Sequence, residues 1–415
     1  MSLPKSSLII TNACWCLFVI RYFGSRVIRR VSSKFLLHGL KEMKSLKTRV
    51  VHLTSAHGRY DTRIFLKMCS SLSSYGYDLS LVVADGEGDE VKNEVMIFDV
   101  GPKPSGRLSR MTKTVSDVLE KAIYLDGDIY HLHDPELMPV GIKLKKLGKK
   151  VLFDAHEDLP RQLLGKPYLN WPTKIVLSIA FALYERYACR KYDYIVSATS
   201  HIRDKFLKIN KNCIDINNFP ILGELASDRP WGEKRNEVCY VGGISQIRGI
   251  QQVVKAMEIT TTVKLNLVGI FGEKAIEKET KAFAGWEKVN ELGFLDRQQV
   301  SNIMSYSQAG IVTFLPSPNH VDAQPNKMFE YMSAGLPIIT SNFPLWAEII
   351  KESGCGICVD PLNPEEIARA IEYISSHPKE ADNMGQNGKK AVLEKYNWSV
   401  EEVKLFNVYD RLIEF

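Results

Sequence analysis

The apolar stretch near the start of the chain, Leu8 to Ile20, is only thirteen residues long and is broken by Thr11 and Asn12. That falls short of the ~20 apolar residues a helix needs to span a bilayer. A secretory signal would put its charge before the apolar run and a small-residue cleavage site after it. Here the basic residues come mainly after, with no A-x-A, so secretion is not expected. A disulfide framework is missing too: the eight cysteines sit at irregular positions in a long chain, which fits reduced thiols and the cytoplasm. Cys355-Gly-Ile-Cys358 has the C-x-x-C spacing but no second pair, nearby histidine or thioredoxin-like surroundings, and reads as small-residue packing at a strand. Low-complexity tracts and fixed-period repeats are absent, which removes disorder and solenoids. Neither G-x-G-x-x-G nor G-x-x-x-x-G-K-[ST] occurs at the one glycine-rich strand-to-helix turn that invites them, so dinucleotide and P-loop readings lose their main support.

What is present is an ordinary soluble composition, 45% hydrophobic and 25% charged over 415 residues, too long for a single core and natural for two domains. The net charge of +6 is unevenly placed. Residues 1–49 carry ten Lys/Arg against Glu42 alone, a net of +9, which leaves −3 for the rest. A slightly acidic body has no footprint for nucleic acid, whereas a basic leader suits an anionic membrane surface. The leader reads either as an interfacial or anchoring segment or as an upstream extension ahead of a start at Met43.

From Val50 onward the pattern alternates strand and helix. Val50-Ser55, Leu79-Ala84, Val95-Val100, Ile129-Leu132, Val151-Asp154 and Tyr194-Ala198 have strand length and composition, with helical spacing between them. The alternation lapses in a polar stretch with Pro230 and Gly232, then restarts with Val238-Val241, Val263-Val268, Val289-Leu292, Ile311-Phe314, Pro337-Thr340 and Gly356-Val359. The expectation is α/β: two Rossmann-like, doubly wound parallel-sheet domains over residues 50–222 and 237–396, joined by a linker at 223–236, with a last helix in 397–415 that can cross back. Such sheets bind ligands at the carboxyl ends of their strands, so the site belongs in the cleft between them.

Two elements in the second half carry chemistry. Cys239-Tyr-Val-Gly-Gly-Ile-Ser-Gln-Ile-Arg-Gly249 runs from a strand through Gly242 and Gly243 to Arg248 ahead of a helix, where backbone and guanidinium can approach a phosphate; a plain tight turn fits equally. Asp322-Ala-Gln-Pro-Asn-Lys-Met-Phe-Glu330-Tyr-Met-Ser-Ala-Gly-Leu-Pro337 places Asn326 and Lys327 at a helix start and Glu330 on the helix, so that two acids flank a dipole suited to phosphates; a capped helix with solvent-facing acids is the plain alternative.

This second element, with its acid, seven residues, acid spacing and its Ala-Gly-Leu-Pro ending, resembles family 4 of the glycosyltransferases over nearly everything from Val50. The resemblance implies the GT-B fold and retaining transfer of a hexosyl unit from a nucleoside-diphosphate sugar to a hydroxyl acceptor. The nucleotide sugar is then a co-substrate, with no cofactor and no metal. It places Glu330 at the donor ribose, Asp322 at the donor sugar, Arg248 and Lys327 at the diphosphate, and the base near Gly293 and Phe294. Two positions depart from the family pattern: Asp322 stands where the family has Glu, and Gly243 where it tends to have Arg.

In the first half, Ile129-Tyr-His-Leu-His-Asp-Pro-Glu136 resembles the family's strand ending in a catalytic-side histidine, matched by His133. His131 and His133 share a strand face beside Asp134, so a metal reading stands next to a hydrogen-bonding one. Asp126-Gly-Asp128 has the D-x-D spacing of metal-dependent transferases but falls in a turn before the strand. The loop Thr54-Ser-Ala-His-Gly-Arg-Tyr-Asp-Thr-Arg63 offers Gly58 on the acceptor side, with Asp61 and Arg63 either capping the following helix or touching acceptor. Asp154-Ala-His156-Glu157 adds polar groups to the same edge. The basic leader and the helix from Lys174 to Lys191 fit an acceptor at the inner face of a membrane, such as a polyprenyl-diphosphate-linked oligosaccharide of O-antigen or capsule type. A hydrolysing nucleotide-sugar epimerase and a non-catalytic subunit of a polysaccharide assembly share the same architecture and remain alternatives.

Overall fold

The computed structural model describes residues 48–106, 109–165, 170–226, 229–317 and 320–414. The expected leader lies outside the described residues apart from its last two positions. The first domain is built on β1 (Arg49–Leu53), β2 (Asp78–Val83), β3 (Glu90–Lys92), β4 (Val95–Asp99), β5 (Ile129–Leu132), β6 (Lys150–Ala155), β7 (Tyr194–Ser197) and β8 (Cys213–Asp215). They form one sheet in the order β3-β4-β2-β1-β5-β6-β7-β8, in which β3 and β4 are antiparallel and the other neighbours parallel. The second domain holds β9 (Glu237–Val241), β10 (Lys264–Val268), β11 (Val289–Gly293), β12 (Ala309–Val312), β13 (Ile338–Ser341) and β14 (Gly356–Val359), all parallel, in the order β11-β10-β9-β12-β13-β14.

Parallel strands need helical crossovers, and helices on both faces bury both side-chain sets. Successive residues of β1 show this: Val50 packs with Ile64, Met68, Leu72 and Leu81 on one face, Val51 with Val118, Tyr130 and Phe153 on the other. In the second domain Val238 joins Val253, Met257 and Ile371, while Cys239 joins Met328, Met332 and Trp346. Cys355 is buried in that last cluster, and every cysteine among the described residues is free. All twelve expected strands are present, with ends displaced by two residues at most. β3 and β8 were not expected, because three residues carry no readable alternation. β3 exists through a tight hairpin whose Asn93 and Glu94 take positive φ (51° and 58°).

In each sheet the chain starts centrally, winds to one edge and returns on the other side of its first strand. β1 thus lies between β2 and β5, and β9 between β10 and β12. Loops leaving such switch points diverge and open a crevice at the carboxyl ends.

The chain crosses between domains twice. Phe219 leaves the first domain and packs in the second, its ring 4.6 Å from Phe329 and 5.3 Å from Tyr396. The last helix, Trp398–Glu414, returns to the first domain and puts Trp398, Leu405, Val408, Tyr409 and Leu412 into its core. The Trp398 amide donates to the Pro220 carbonyl at 2.9 Å, so the two crossings are tied together. No helix among the described residues is long and apolar enough to cross a membrane. The helix Trp171–Cys189, however, turns Trp171, Val176, Ile179, Leu183 and Tyr187 outward.

Candidate active site

On the second-domain wall, β9 ends in Gly242 and Gly243. Gly242 has φ 113°, and a Cβ there would lie 2.4 Å from the Lys327 Cε. The glycine therefore leaves room that the lysine fills. Lys327 stands in the first turn of the helix Asn326–Ser333, which begins after Pro325 with no side-chain cap. Its Nζ is shut off from solvent and makes no hydrogen bond, lying 4.6 Å from the centre of the Tyr240 ring. Burial, and secondarily Arg248, push this ammonium down to about 7. Arg248 folds back, donating from Nη1 to the Gly243 carbonyl at 3.1 Å. Two cationic side chains, an uncapped helix N-terminus and a glycine turn thus converge, and among the described residues no carboxylate is bonded to either cation.

The acids flanking this centre are both engaged. Glu330 accepts from Arg297 Nη1 at 2.9 Å, and Arg297 also grips Glu224 at 2.8 and 2.7 Å. Asp322 reaches the other domain: its Oδ2 lies 3.1 Å from Arg161 Nη1 and 3.6 Å from His201 Nε2, at 41% side-chain exposure. Phe294 follows Gly293 and is 79% exposed, an apolar ring free to stack. Asn326 is exposed at the helix start.

On the first-domain wall, the histidines form a buried network. His133 Nε2 meets His52 Nδ1 at 2.8 Å and His133 Nδ1 meets Asp154 Oδ2 at 3.2 Å; Tyr409 of the last helix bonds His131 at 2.9 Å and His52 at 3.0 Å. Burial pushes His133 down to about 3 despite Asp154, so the ring is neutral and its nitrogens are both spoken for. Of the roles left open for the loop after β1, Asp61 takes the cap, accepting from the Arg63 and Ile64 amides at 2.8 and 2.9 Å. Arg63 takes neither: it is buried, bidentate to Asp154 at 2.9 and 2.7 Å and bonded to the Ile216 carbonyl at 2.8 Å. The reason is the buried carboxylate. Burial alone would raise Asp154, but Arg63, His156 and His133 outweigh it and hold the acid well below its usual range. Gly58 is exposed with open space around its Cα.

His133, Asp154 and His156 bring ligand atoms within 4.8 Å of one another, as do His52, His131 and His133. That is close enough for a cation, but the guanidinium of Arg63 already occupies both oxygens of Asp154. His133 and Asp154 are thus engaged in a hydrogen-bond network, while His131 Nε2 is buried without a hydrogen bond, and Asp134, which the sequence put beside the histidines, turns away from it. Its Oδ2 accepts from Thr54 Oγ1 at 2.8 Å and the Ser55 and Ala56 amides at 2.7 and 3.2 Å, while Oδ1 lies 3.0 Å from His57 Nδ1. Sequence reasoning missed this His57–Asp134 pair, and also Arg161, Arg297 and Glu224. Each joins residues far apart in the chain, and the one signal in the sequence was a His in the loop after the first strand.

Residues 224–391 match the family model described as glycosyl transferases group 1. An uncharacterized glycosyltransferase of Methanocaldococcus jannaschii is 22% identical over 84% of this chain and 93% of its own length. The capsular polysaccharide biosynthesis glycosyltransferase CapM of Staphylococcus aureus is 23% identical over 42% of this chain and 46% of its own. Among solved structures, Anabaena HepE in complex with UDP and glucose superposes with a TM-score of 0.68 at 14% identity, over 88% of this chain and all of that one. These likenesses, added to two doubly wound parallel sheets, give the chain the GT-B fold, with residues 224–391 matching the model of the glycosyl transferases group 1.

Proposed function

We propose that this chain is a metal-independent glycosyltransferase of the family 4 kind, which moves a hexosyl unit from a nucleoside-diphosphate sugar to a hydroxyl acceptor with retained anomeric configuration. The observation that carries the reading is the solitary Lys327 ammonium, buried and unbonded beside Arg248 and an open helix N-terminus. An unpaired buried cation is unfavourable unless an anion visits it. A diphosphate would supply that anion, and as the leaving group its growing charge would be stabilised by the same donors. Glu330 would exchange Arg297 for the ribose hydroxyls, Phe294 would stack on the base, and Asp322 would face the sugar from where it now touches Arg161.

We place the acceptor at the cytoplasmic face of a membrane, as a lipid-linked oligosaccharide in surface polysaccharide synthesis. The outward apolar stripe of the helix Trp171–Cys189, ending in exposed Arg186, Arg190 and Lys191, supports a peripheral contact with anionic lipid. The Staphylococcus aureus relative, a glycosyltransferase of capsular polysaccharide biosynthesis, points the same way.

The test is a thermal-shift screen against nucleoside diphosphates and nucleotide sugars. Selective stabilisation by one nucleotide, reduced at least tenfold in apparent affinity in Lys327→Met and weakened in Glu330→Ala, is the expected outcome. A folded wild-type chain that binds none of them in calorimetry as well would remove the transferase reading and leave a non-catalytic subunit.

A further inference from the structure

Beyond β6 and β7, at the carboxyl edge of the first sheet, the chain enters two helices. Arg161 stands on the first, Leu159–Leu164, and His201 on the second, Ser200–Leu207. Arg161 Nη1 lies 3.0 Å from His201 Nε2. A guanidinium only donates, so that nitrogen accepts, the ring is neutral and its proton is on Nδ1. Asp158, the cap of the Arg161 helix, adds a contact to Nε at 3.6 Å and is itself fastened to Lys205 at 2.9 Å. In the second domain the segment carrying Asp322 is fixed as well. The Trp346 indole donates to the Ala323 carbonyl at 2.6 Å, and the Ala323 amide to the His320 carbonyl at 3.1 Å. Between these supports Arg161 Nη1 donates to Asp322 Oδ2 at 3.1 Å. Arg161 Nη2 and Asp322 Oδ1 have no partner among the described residues, on side chains 46% and 41% exposed. Ion pairs this exposed contribute little to stability, which leaves recognition as the use of so well supported a pair. A free carboxylate oxygen beside a free guanidinium edge offers an acceptor and a donor together. Two adjacent hydroxyl groups answer it, since each can both donate and accept.

We propose that Arg161 and Asp322 together read the donor sugar, as a recognition site shared by the two domains, and that this sugar is uncharged and presents two neighbouring hydroxyls. The assignment rests on the transferase reading above, which puts Asp322 at the sugar; it adds the first-domain partner and the class of sugar. Asp322 lies four residues ahead of Asn326, the first residue of the helix that carries Lys327. A sugar bonded to a diphosphate at Lys327 and Arg248 is therefore within reach of it. One hydroxyl donates to Oδ1 and its neighbour accepts from Nη2. The charges decide the class. Arg161 already faces two carboxylates, Asp158 and Asp322. A uronate would bring a third acid to one guanidinium and be repelled, whereas hydroxyls leave the balance unchanged. Because each domain supplies half of the reader, the sugar is gripped only when the cleft is shut over it. A nucleoside diphosphate without its sugar leaves the pair untouched.

The experiment measures dissociation constants by calorimetry on the full chain, for the nucleotide sugar that the binding screen selects, for its bare nucleoside diphosphate, and for donors deoxygenated at each ring hydroxyl in turn. In wild type, loss of either of two adjacent hydroxyls should weaken binding by about tenfold or more, the range for a hydrogen bond to a charged group. In Arg161→Ala the intact donor should bind about tenfold more weakly or worse. One of those two deletions should then cost less than about twofold further, as expected when its partner is already gone. Affinity for the bare diphosphate should stay within about twofold of wild type, and the melting temperature should not move, since the side chain is exposed. Equal weakening of diphosphate and nucleotide sugar in Arg161→Ala would make the pair a latch between domains and overturn the assignment. So would a variant as sensitive as wild type to every deletion, a wild type indifferent to all of them, or a screen that selects a uronate donor. If the wild-type chain binds a nucleotide sugar, such results fall on Arg161 alone; if it binds none, the transferase reading falls and takes this one with it.

Discussion

Lys327 shows what one side chain can impose on its surroundings. An ammonium whose Nζ meets only aromatic faces and a glycine turn is kept at the expense of stability, because its charge has left water without a partner. Replacement by Met, similar in shape and neutral, is expected to raise the melting temperature of the ligand-free protein, by about 2–4 °C for each kcal/mol gained, while destroying nucleotide binding. The pH dependence follows from the lowered pKa of about 7. Between pH ~7 and the ordinary lysine value near 10.4, the unfolded chain holds a proton that the folded lysine has released, so stability attributable to this group rises with pH across that window. Below it the penalty is fully present. Lys67 and Lys234 are lowered by burial to about 7 and about 8 and act in the same sense, so the difference between wild type and Lys327→Met in denaturant titrations at pH 6.5 and 9.5 isolates Lys327. A gap that does not narrow at the higher pH would contradict this account. That Lys327 opens a helix was legible in Pro325-Asn326-Lys327. That it is unpaired was not, since this depends on the φ of Gly242 and on Tyr240, some ninety residues earlier.

Among the elements, the helix Trp171–Cys189 has its ends written plainly. The Asn170 side chain accepts from the Thr173 amide at 3.0 Å, and Pro172 sits in the first turn. Which side faces the protein was not legible, because apolar residues surround the helix. The structure buries Glu185, Ala188 and Cys189, with Glu185 paired to Lys205 at 2.6 Å, and exposes Val176, Ile179, Leu183 and Tyr187, three or four residues apart along one stripe. Full-length protein is therefore expected to float with vesicles containing anionic phosphatidylglycerol at low salt, and Val176→Asp/Leu183→Asp to lose at least tenfold in bound fraction with nucleotide affinity preserved. Flotation unchanged by the double substitution would discard this helix as the contact. The histidine at the end of β5 is the opposite case. The motif was readable, but the burial of His133 was not, since it depends on His52 and Asp154 from neighbouring strands.

At the scale of the whole molecule, alternation of strand and helix made the two sheets legible, because parallel sheets buried on both faces leave long apolar strands that differ sharply from their surroundings. The crossings between domains were less readable, since Phe219, Tyr396 and Trp398 are aromatic residues whose partners lie in the other half of the chain. A chain stopped after Asn397 should keep a folded second domain and lose the first domain's cooperative unfolding transition, seen by calorimetry, since it forfeits Trp398, Leu405, Val408, Tyr409 and Leu412 from one core and Tyr409 from the histidine network. Two intact transitions in that truncated protein would show the helix to be an accessory. The returning helix also orders events on the ribosome. Domains ordinarily fold as they emerge, amino-terminal first, at ~5–20 residues per second. Here the domain made first must wait for the second and the last helix to be translated, a delay of roughly ten to forty seconds at those rates. During that interval the face of the nascent sheet destined for Trp398 and Tyr409 stands uncovered, a natural client for a holding chaperone.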